Sequence, residues 1–182
     1  MAAPTTQRRL REIAEDQYGY VTTGDAAELG VPTVEVGKLA HRGVLEHVSR
    51  GLYRFADIRH TDRDAFMEAV LWAGPDAMLT DDAVLALLEL GLVNPAAIRV
   101  ATTKRVRKTQ PRADIEIVPR DVVTADRTQY FGIPATKVAR ALLDARTRVM
   151  PTRLRDAAAE AYRQGLMLRD EYDHVLAELE GV

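Results

Sequence analysis

The sequence contains no cysteine among its 182 residues, and aromatic residues make up only 5% of it. The absence of cysteine excludes a disulfide framework, thiolate-ligated metal sites and cysteine nucleophiles. Apolar stretches such as AVLALLELGLV, residues 83–93, are too short and too charged to cross a bilayer. The amino-terminal segment also lacks the apolar core of a signal peptide. We therefore expect a soluble, cytoplasmic protein that makes no membrane contact.

Charge is segregated along the chain, although the formal net charge is only −2. Residues 57–95 carry eight acidic and two basic residues, whereas residues 99–112 carry six basic residues and no acidic one. Segregation of this kind indicates surfaces that meet different partners. Each block taken alone is also compatible with an ordinary solvated surface.

The first 56 residues show the element order of a winged helix-turn-helix: helix, short strand, short helix, tight turn, third helix and two-stranded hairpin. The third helix begins at Pro32, which suits a first helical turn, and closes at Gly43. Three short helices cannot bury enough apolar area alone, so the hairpin is expected to close the base of their core. The hairpin residues predicted to lie in that core are Val44, Val48, Leu52 and Phe55.

The third helix keeps one face free, and the major groove of DNA is wide enough to admit a helix. We predict that the hairpin is a wing whose arginines contact the sugar-phosphate backbone beside that groove. Lys38 and Arg42 are the main candidates for base or groove-phosphate contact, and Arg8 and Arg9 are secondary phosphate candidates. The predicted DNA-binding residues are Thr33, Val34, Gly37, Lys38, His41, Arg42, Arg50 and Arg54.

A protein-docking module can have the same order of elements. Residues 1–56 contain seven basic and seven acidic residues, which does not make a basic domain. From residue 32 to residue 56 the balance is four basic to two acidic residues, a modest basic patch. We favour DNA binding because this patch falls on the third helix and the hairpin.

The remaining residues mix helical and strand patterns. Helical segments precede and follow AIRVATT, ADIEIVP and TQYFGIP, which have strand character. We therefore predict an α+β protein with a winged helix-turn-helix domain at residues 1–56 and a mixed α/β domain at residues 57–182. Between two of the predicted strands lies a candidate second basic surface, formed by Lys104, Arg105, Arg107, Lys108 and Arg112.

The sequence offers little for catalysis. Its four histidines have no metal-binding spacing, and it contains no phosphate-binding glycine loop or nucleophile motif. Asp114 and Glu116 could hold a divalent metal, as a nuclease centre would, but a half-exposed strand explains their spacing better. We expect no cofactor, no bound metal and no enzymatic activity.

Four segments, in this order, resemble the AbiEi family of bacterial antitoxins. They are VSRGLYRF, GPDAMLTDDAVLALLELGL, IRVATT with the basic segment that follows it, and YFGIPATKVARALLDA. The last is similar to the family's Gly-Ile-Pro-x-Thr turn, which opens a helix ending in Leu-x-Asp, and the resemblance covers nearly the whole chain. At TDDAVLAL the chain departs from many relatives, which begin this helix with Ser or His, so no function is transferred to that point.

The resemblance implies an amino-terminal winged helix that represses its own operon and a carboxy-terminal antitoxin domain. The implied partners are a nucleotidyltransferase-like toxin, counteracted directly or indirectly, and double-stranded operator DNA. Repressors of this kind meet inverted repeats, so two copies on one operator are expected. The residues leave two other functions open: a metal-dependent nuclease that uses Asp114 and Glu116, and a transcription factor whose second domain binds a small effector.

Overall fold

The computed structural model describes residues 5–104, 106 and 112–180. The chain divides into two compact units, residues 1–72 and 73–182. The sequence places the division after residue 56, whereas in the structure most of the next helix belongs to the first unit. Both units combine helices with β-sheet, so the predicted α+β class with an amino-terminal winged helix is confirmed. No helix in the described ranges has the length and apolarity needed to span a membrane.

The described part of the first unit forms a winged helix followed by one more helix. Its elements are α1 (Thr6–Asp16), β1 (Tyr20–Thr22), α2 (Thr23–Glu28), α3 (Thr33–His41), β2 (Leu45–Ser49), β3 (Leu52–Phe55) and α4 (Asp64–Ala73). The three strands form an antiparallel sheet in the order β1-β3-β2.

Local hydrogen bonds explain where these helices begin. The side chain of Thr5 accepts a hydrogen bond from the amide of Arg8 at 3.3 Å and caps α1. Thr22 and Asp25 form a reciprocal capping box at the start of α2, which satisfies two amides that the helix leaves unpaired. Pro32 is the N-cap residue of α3, where its missing N–H removes nothing from the helix.

The wing closes the core of the first unit, but not with all of the predicted residues. Leu52 and Phe55 are buried, with 1% and 0% of their surface exposed. Val44 and Val48 are only half-buried, and Leu45, at 2% exposure, takes the inward position of β2. The strand register decides this, because Leu45 lies opposite Phe55 and successive side chains of a strand point to opposite faces.

The second unit packs helices against a mixed sheet. Its elements are β4 (Met78–Leu79), α5 (Asp82–Leu87), β5 (Ile98–Thr102), β6 (Ile115–Pro119), β7 (Arg127–Tyr130), β8 (Ile133–Thr136), α6 (Val138–Asp144), α7 (Pro151–Arg163) and α8 (Arg169–Glu180). The strand order is β6-β5-β4-β8-β7. The pairs β5–β6 and β4–β8 are parallel, and β4–β5 and β7–β8 are antiparallel. The segment TQYFGIP, predicted as one strand, forms two, because the chain turns at Phe131-Gly132 with positive φ at both residues.

Asp81, the N-cap residue of α5, combines backbone strain with burial of a carboxyl group. Its φ of 53° and ψ of −138° lie near the first central position of a type II′ turn, which favours glycine. The residue is only 4% exposed. Burial raises the pKa of the Asp81 carboxyl; nearby Arg120 opposes this shift, and Asp144 adds to it. Both features cost stability at neutral pH.

Replacing Asp81 with glycine is therefore expected to raise the free energy of unfolding by about 1–2 kcal/mol at pH 7. Because the folded-state pKa is raised, ionisation destabilises the fold as pH rises above the ordinary value of 3.8. Below that pH the carboxyl is protonated in both the folded and the unfolded state. Only the part of the stability gain that comes from the backbone then remains. Urea unfolding followed by circular dichroism at pH 7 and at pH 3 measures both parts. Asp81→Asn is the control that removes the charge alone, and an unchanged stability of Asp81→Gly at pH 7 would contradict the prediction.

Candidate nucleic-acid interface

Helix α3 divides its side chains between the core and solvent. Val36 and Leu39 are buried, at 1% and 3% exposure, and hold the helix against the first unit. The opposite face is open: Val34 is 67% exposed, and Thr33 is exposed at the start of the helix. This face forms one shallow groove, lined by Val34, Glu35, Gly37, Lys38, His41 and Arg42. The structure therefore brings most of the predicted DNA-binding residues to one surface.

The groove also contains an acidic residue, Glu35, which is not among the predicted DNA-binding residues. Glu35 Oε1 lies 2.7 Å from Lys38 Nζ, and both side chains are exposed. Their spacing along the helix, i and i+3, was a signal available in the sequence. An exposed ion pair of this kind is worth little, so Lys38 can exchange Glu35 for a phosphate or a base. Arg42 donates from Nε to the carbonyl oxygen of Lys38 at 3.3 Å, which directs its side chain along the end of the helix.

Gly37 lies in the middle of this face, and no contact within the described protein explains why the residue is glycine. A Cβ atom built on Gly37 would meet nothing within 4 Å. Glycine in a helix interior costs on the order of 1 kcal/mol relative to alanine. Neither packing nor a special backbone angle requires glycine here. The space beside Gly37 is open toward solvent.

The wing turn is tied to the start of α2. The carbonyl oxygen of Gly51 accepts a hydrogen bond from the amide of Thr23 at 2.9 Å. A Cβ atom on Gly51, whose φ is +78°, would lie 3.0 Å from the Thr23 hydroxyl oxygen. Arg50, beside it, is exposed at the tip of the hairpin. Its position is consistent with the predicted contact to a DNA backbone.

The prediction that Arg54 contacts phosphate is wrong. Only 2% of Arg54 is exposed, and its guanidinium lies 3.1 Å from a carboxylate oxygen of Asp64. It also donates to the carbonyl oxygen of Phe55 and lies 5.6 Å from the ring centre of Tyr20. The carboxylate that holds Arg54 inside the fold comes from α4, ten residues further along the chain. The hairpin pattern on its own could not indicate this partner.

The two secondary candidates on α1 have different environments. Arg8 is exposed and pairs with Glu12 at 3.3 Å, so it remains accessible to a ligand. Arg9 donates to the carbonyl oxygen of Leu29 at 2.7 Å and thereby connects α1 to the end of α2. This hydrogen bond gives Arg9 a structural role between the two helices.

The candidate second basic surface lies partly outside the described residues, because Arg105, Arg107 and Lys108 are not among them. Lys104 forms an ion pair with Asp76. Arg112 donates to Asp114 at 2.9 Å, and this hydrogen bond lowers the pKa of the Asp114 carboxyl. The role of this surface remains a prediction.

The two carboxylates considered for a nuclease centre are both engaged by arginines. Asp114 bonds Arg112, while Glu116 lies 2.9 Å from Arg99 and 3.2 Å from Arg148. Within residues 5–104, 106 and 112–180, no group of three or more histidine, aspartate or glutamate side chains is placed to hold a metal ion. The geometry of these two residues does not favour the nuclease hypothesis.

Comparison with known proteins identifies the amino-terminal region. Residues 8–56 match the family model described as "Transcriptional regulator, AbiEi antitoxin". The whole chain is similar to the crystal structure of the RV2827C protein from Mycobacterium tuberculosis, with 16% identity and a TM-score of 0.43, over 97% of this chain and 82% of that one. No curated protein sequence gives a significant match. The winged helix of this chain is therefore similar to that of the AbiEi antitoxin transcriptional regulators over residues 8–56.

Proposed function

We propose that this chain is an antitoxin that binds inverted-repeat operator DNA, represses its own operon and counteracts a nucleotidyltransferase-like toxin. The observation that carries the DNA-binding part is the exposed groove on α3, in a domain that is similar to that of a family of transcriptional regulators. A helix presented in this way fits the major groove. Such a regulator acts in the cytoplasm, where its operon is transcribed.

Each residue of this interface has a role that its chemistry suits. Lys38 and Arg42 contact bases or the phosphates that border the groove, and Val34 offers an apolar surface to a thymine methyl group. Thr33 and His41, at the two ends of α3, contact sugar-phosphate. Arg50 at the wing tip contacts a phosphate beside the groove and carries no sequence information. In this arrangement α3 selects the DNA sequence, and the wing fixes the orientation of α3 in the groove.

Antitoxin function is assigned to residues 57–182 and DNA binding to residues 1–56. Support for the antitoxin part comes from the family of the winged helix. Cells whose growth is arrested by a nucleotidyltransferase-like toxin test this part directly, because supplying the chain in trans is expected to restore their growth. No restoration with a stably expressed chain would refute it.

Binding to the DNA upstream of the protein's own gene tests the repressor part. A repressor of this type meets two half-sites whose centres lie about one helical turn, ~34 Å, or a multiple of it apart. Footprinting is therefore expected to show two related protected sites on that DNA. A single protected site without a repeat would rule out the paired arrangement.

The same binding experiment reports whether the second basic surface takes part. If about five phosphates are neutralised, the slope of log K against log salt is expected near −4.5. Replacing Lys104, Arg105, Arg107 and Lys108 with alanine makes this slope shallower if the segment contacts DNA. An unchanged slope would show that the segment does not contact nucleic acid in this complex.

A further inference from the structure

The loop that follows α5 has an unusual backbone. Glu89, Gly91 and Leu92 have positive φ angles of 57°, 61° and 52°. Glycine adopts this region readily, whereas a glutamate and above all a leucine rarely do. Residues in such conformations persist only where the surrounding structure holds them.

Helix α7 supplies the contacts that hold this loop. Glu160 accepts a hydrogen bond from the amide of Gly91 at 3.2 Å. Arg153 donates to the carbonyl oxygens of Gly91, at 3.3 Å, and Leu92, at 2.9 Å. The packing is close, because a Cβ atom on Gly91 would lie 2.6 Å from the carbonyl oxygen of Arg153 and 2.8 Å from the Cβ of Ala157. The loop is therefore fixed on α7.

This fixed loop holds an apolar side chain out in solvent. Leu92 is 85% exposed, and Met150, directly before α7, is 65% exposed. Both line an open cavity of about 510 Å³, together with Val93, Pro95 and Val149. Large apolar side chains at the rim of a cavity are typical of sites that bind another protein.

The same cavity carries an unneutralised positive charge. Its charged lining residues are Arg99, Arg148, Arg153 and Asp82. Arg99 is paired with Asp82 and Glu116, and Arg148 is paired with Glu116. Arg153 hydrogen-bonds backbone carbonyls, and no carboxylate in the described part of the chain forms an ion pair with it. A ligand that complements this lining needs an apolar group and a negative charge close together.

We propose that this cavity is a docking site for a segment of a protein partner that carries an apolar side chain next to a carboxylate. The apolar side chain covers Leu92 and Met150, and the carboxylate pairs with Arg153 through charge-assisted hydrogen bonds. A nucleic-acid backbone would satisfy Arg153 but leave both apolar side chains uncovered. The second unit thus recruits a protein through a surface distinct from the DNA-binding face of α3.

A random dodecapeptide display library, selected against the full chain, tests this site. Enriched peptides are expected to share Asp or Glu beside Leu, Ile, Phe or Met, and fluorescence anisotropy with a labelled synthetic peptide then gives the Kd. Leu92→Asn and Arg153→Gln are each expected to raise that Kd about tenfold. Asparagine tolerates positive φ, and glutamine keeps an N–H donor for the loop carbonyls, so both variants are expected to fold.

Two matched controls come from the same unit. Leu168 is 74% exposed and Arg155 is exposed on α7, but neither lines the cavity. Leu168→Asn and Arg155→Gln are therefore expected to leave the Kd unchanged. Circular dichroism checks the fold of all four variants.

Three results would overturn the docking site. The first is that the unaltered chain enriches peptides no better than the Leu92→Asn/Arg153→Gln double variant does. The second is that the enriched peptides lack an acidic residue. The third is that the control variants raise the Kd as much as Leu92→Asn and Arg153→Gln do. The outcome is separable from that of the proposed function. Variants of the cavity are expected to bind operator DNA normally, and an unaltered chain that binds peptide but not operator DNA would refute only the repressor.

Discussion

Replacing Arg54 with methionine is expected to lower the free energy of unfolding of the first unit by about 3–5 kcal/mol. The loss comes from Asp64, whose side chain is only 8% exposed and would keep a buried charge without its guanidinium partner. His60 contacts the same carboxylate oxygen at 2.8 Å, but its side chain is 71% exposed, so it cannot provide the missing buried cation. The effect is large because the charge remains where water cannot reach it.

The single tryptophan gives a local probe for this measurement. Trp72 lies in α4, the helix that carries Asp64, and is 6% exposed. Urea unfolding followed by its fluorescence therefore reports on the part of the fold that Arg54 stabilises. A loss below about 1 kcal/mol would mean that the pair is hydrated and behaves as a surface ion pair.

A second variant separates the ion pair from general damage to the core. Arg54→Met combined with Asp64→Asn removes both charges and keeps a side-chain oxygen that can accept from the amide of Thr61. We expect this double variant to lose less stability than Arg54→Met alone, because no unpaired charge remains buried. A double variant that loses as much as both single variants combined would show that the two residues do not act as a pair.

The DNA binding of the Arg54→Met variant also tests whether Arg54 is structural or contacts DNA. The Arg54→Met variant, assayed at a temperature where Trp72 fluorescence reports a folded protein, is expected to keep the salt dependence of DNA binding. Loss of one phosphate contact would change the slope of log K against log salt by about 0.9. A change of that size would show that Arg54 leaves the core and meets DNA.

Replacing Lys38 and Arg42 together with alanine is expected to weaken binding to operator DNA on the order of 100-fold. Each residue lies on the exposed face of α3, and a base or phosphate contact in the groove contributes about 1–3 kcal/mol. Because neither side chain is buried, stability is expected to change little. Electrophoretic mobility shift at fixed salt gives the affinity, and thermal melting gives the stability.

Two further variants sharpen this test. Arg59→Ala is the matched control, because Arg59 is an exposed arginine of the same unit outside α3 and the wing. Gly37→Ala is expected to stabilise the helix by about 1 kcal/mol, since the added methyl group meets nothing within the protein. If α3 approaches DNA closely, the same variant binds operator DNA more weakly. If Arg59→Ala weakens DNA binding as much as the double variant does, the overall positive charge of the unit, and not the face of α3, determines affinity.

The sequence predicted the winged helix well because local rules define it. Thr5, the Thr22–Asp25 pair and Pro32 begin the three helices, and glycines end them, so element order and the free face of α3 followed from neighbouring residues. The exposed groove of α3 was predictable for the same reason. Helical periodicity separates Val36 and Leu39 from Lys38 and Arg42 before any tertiary contact is known.

Contacts between residues distant in the chain could not be predicted in this way. The prediction for Arg54 failed because a basic residue on a wing has the same appearance in sequence whether it meets phosphate or a carboxylate ten residues later. The cavity beside Leu92 was missed because α7 fixes that loop from more than sixty residues away.

The sequence by itself determined the order of elements, the exposed face of α3 and its basic character, because periodicity and helix capping act within a few residues. Only the tertiary structure decided which arginines are free to meet a ligand. Burial and pairing of a charge depend on which distant carboxylate the fold brings within about 4 Å of it. That pairing places Arg54 inside the fold and leaves Arg153 beside an open, apolar-rimmed cavity.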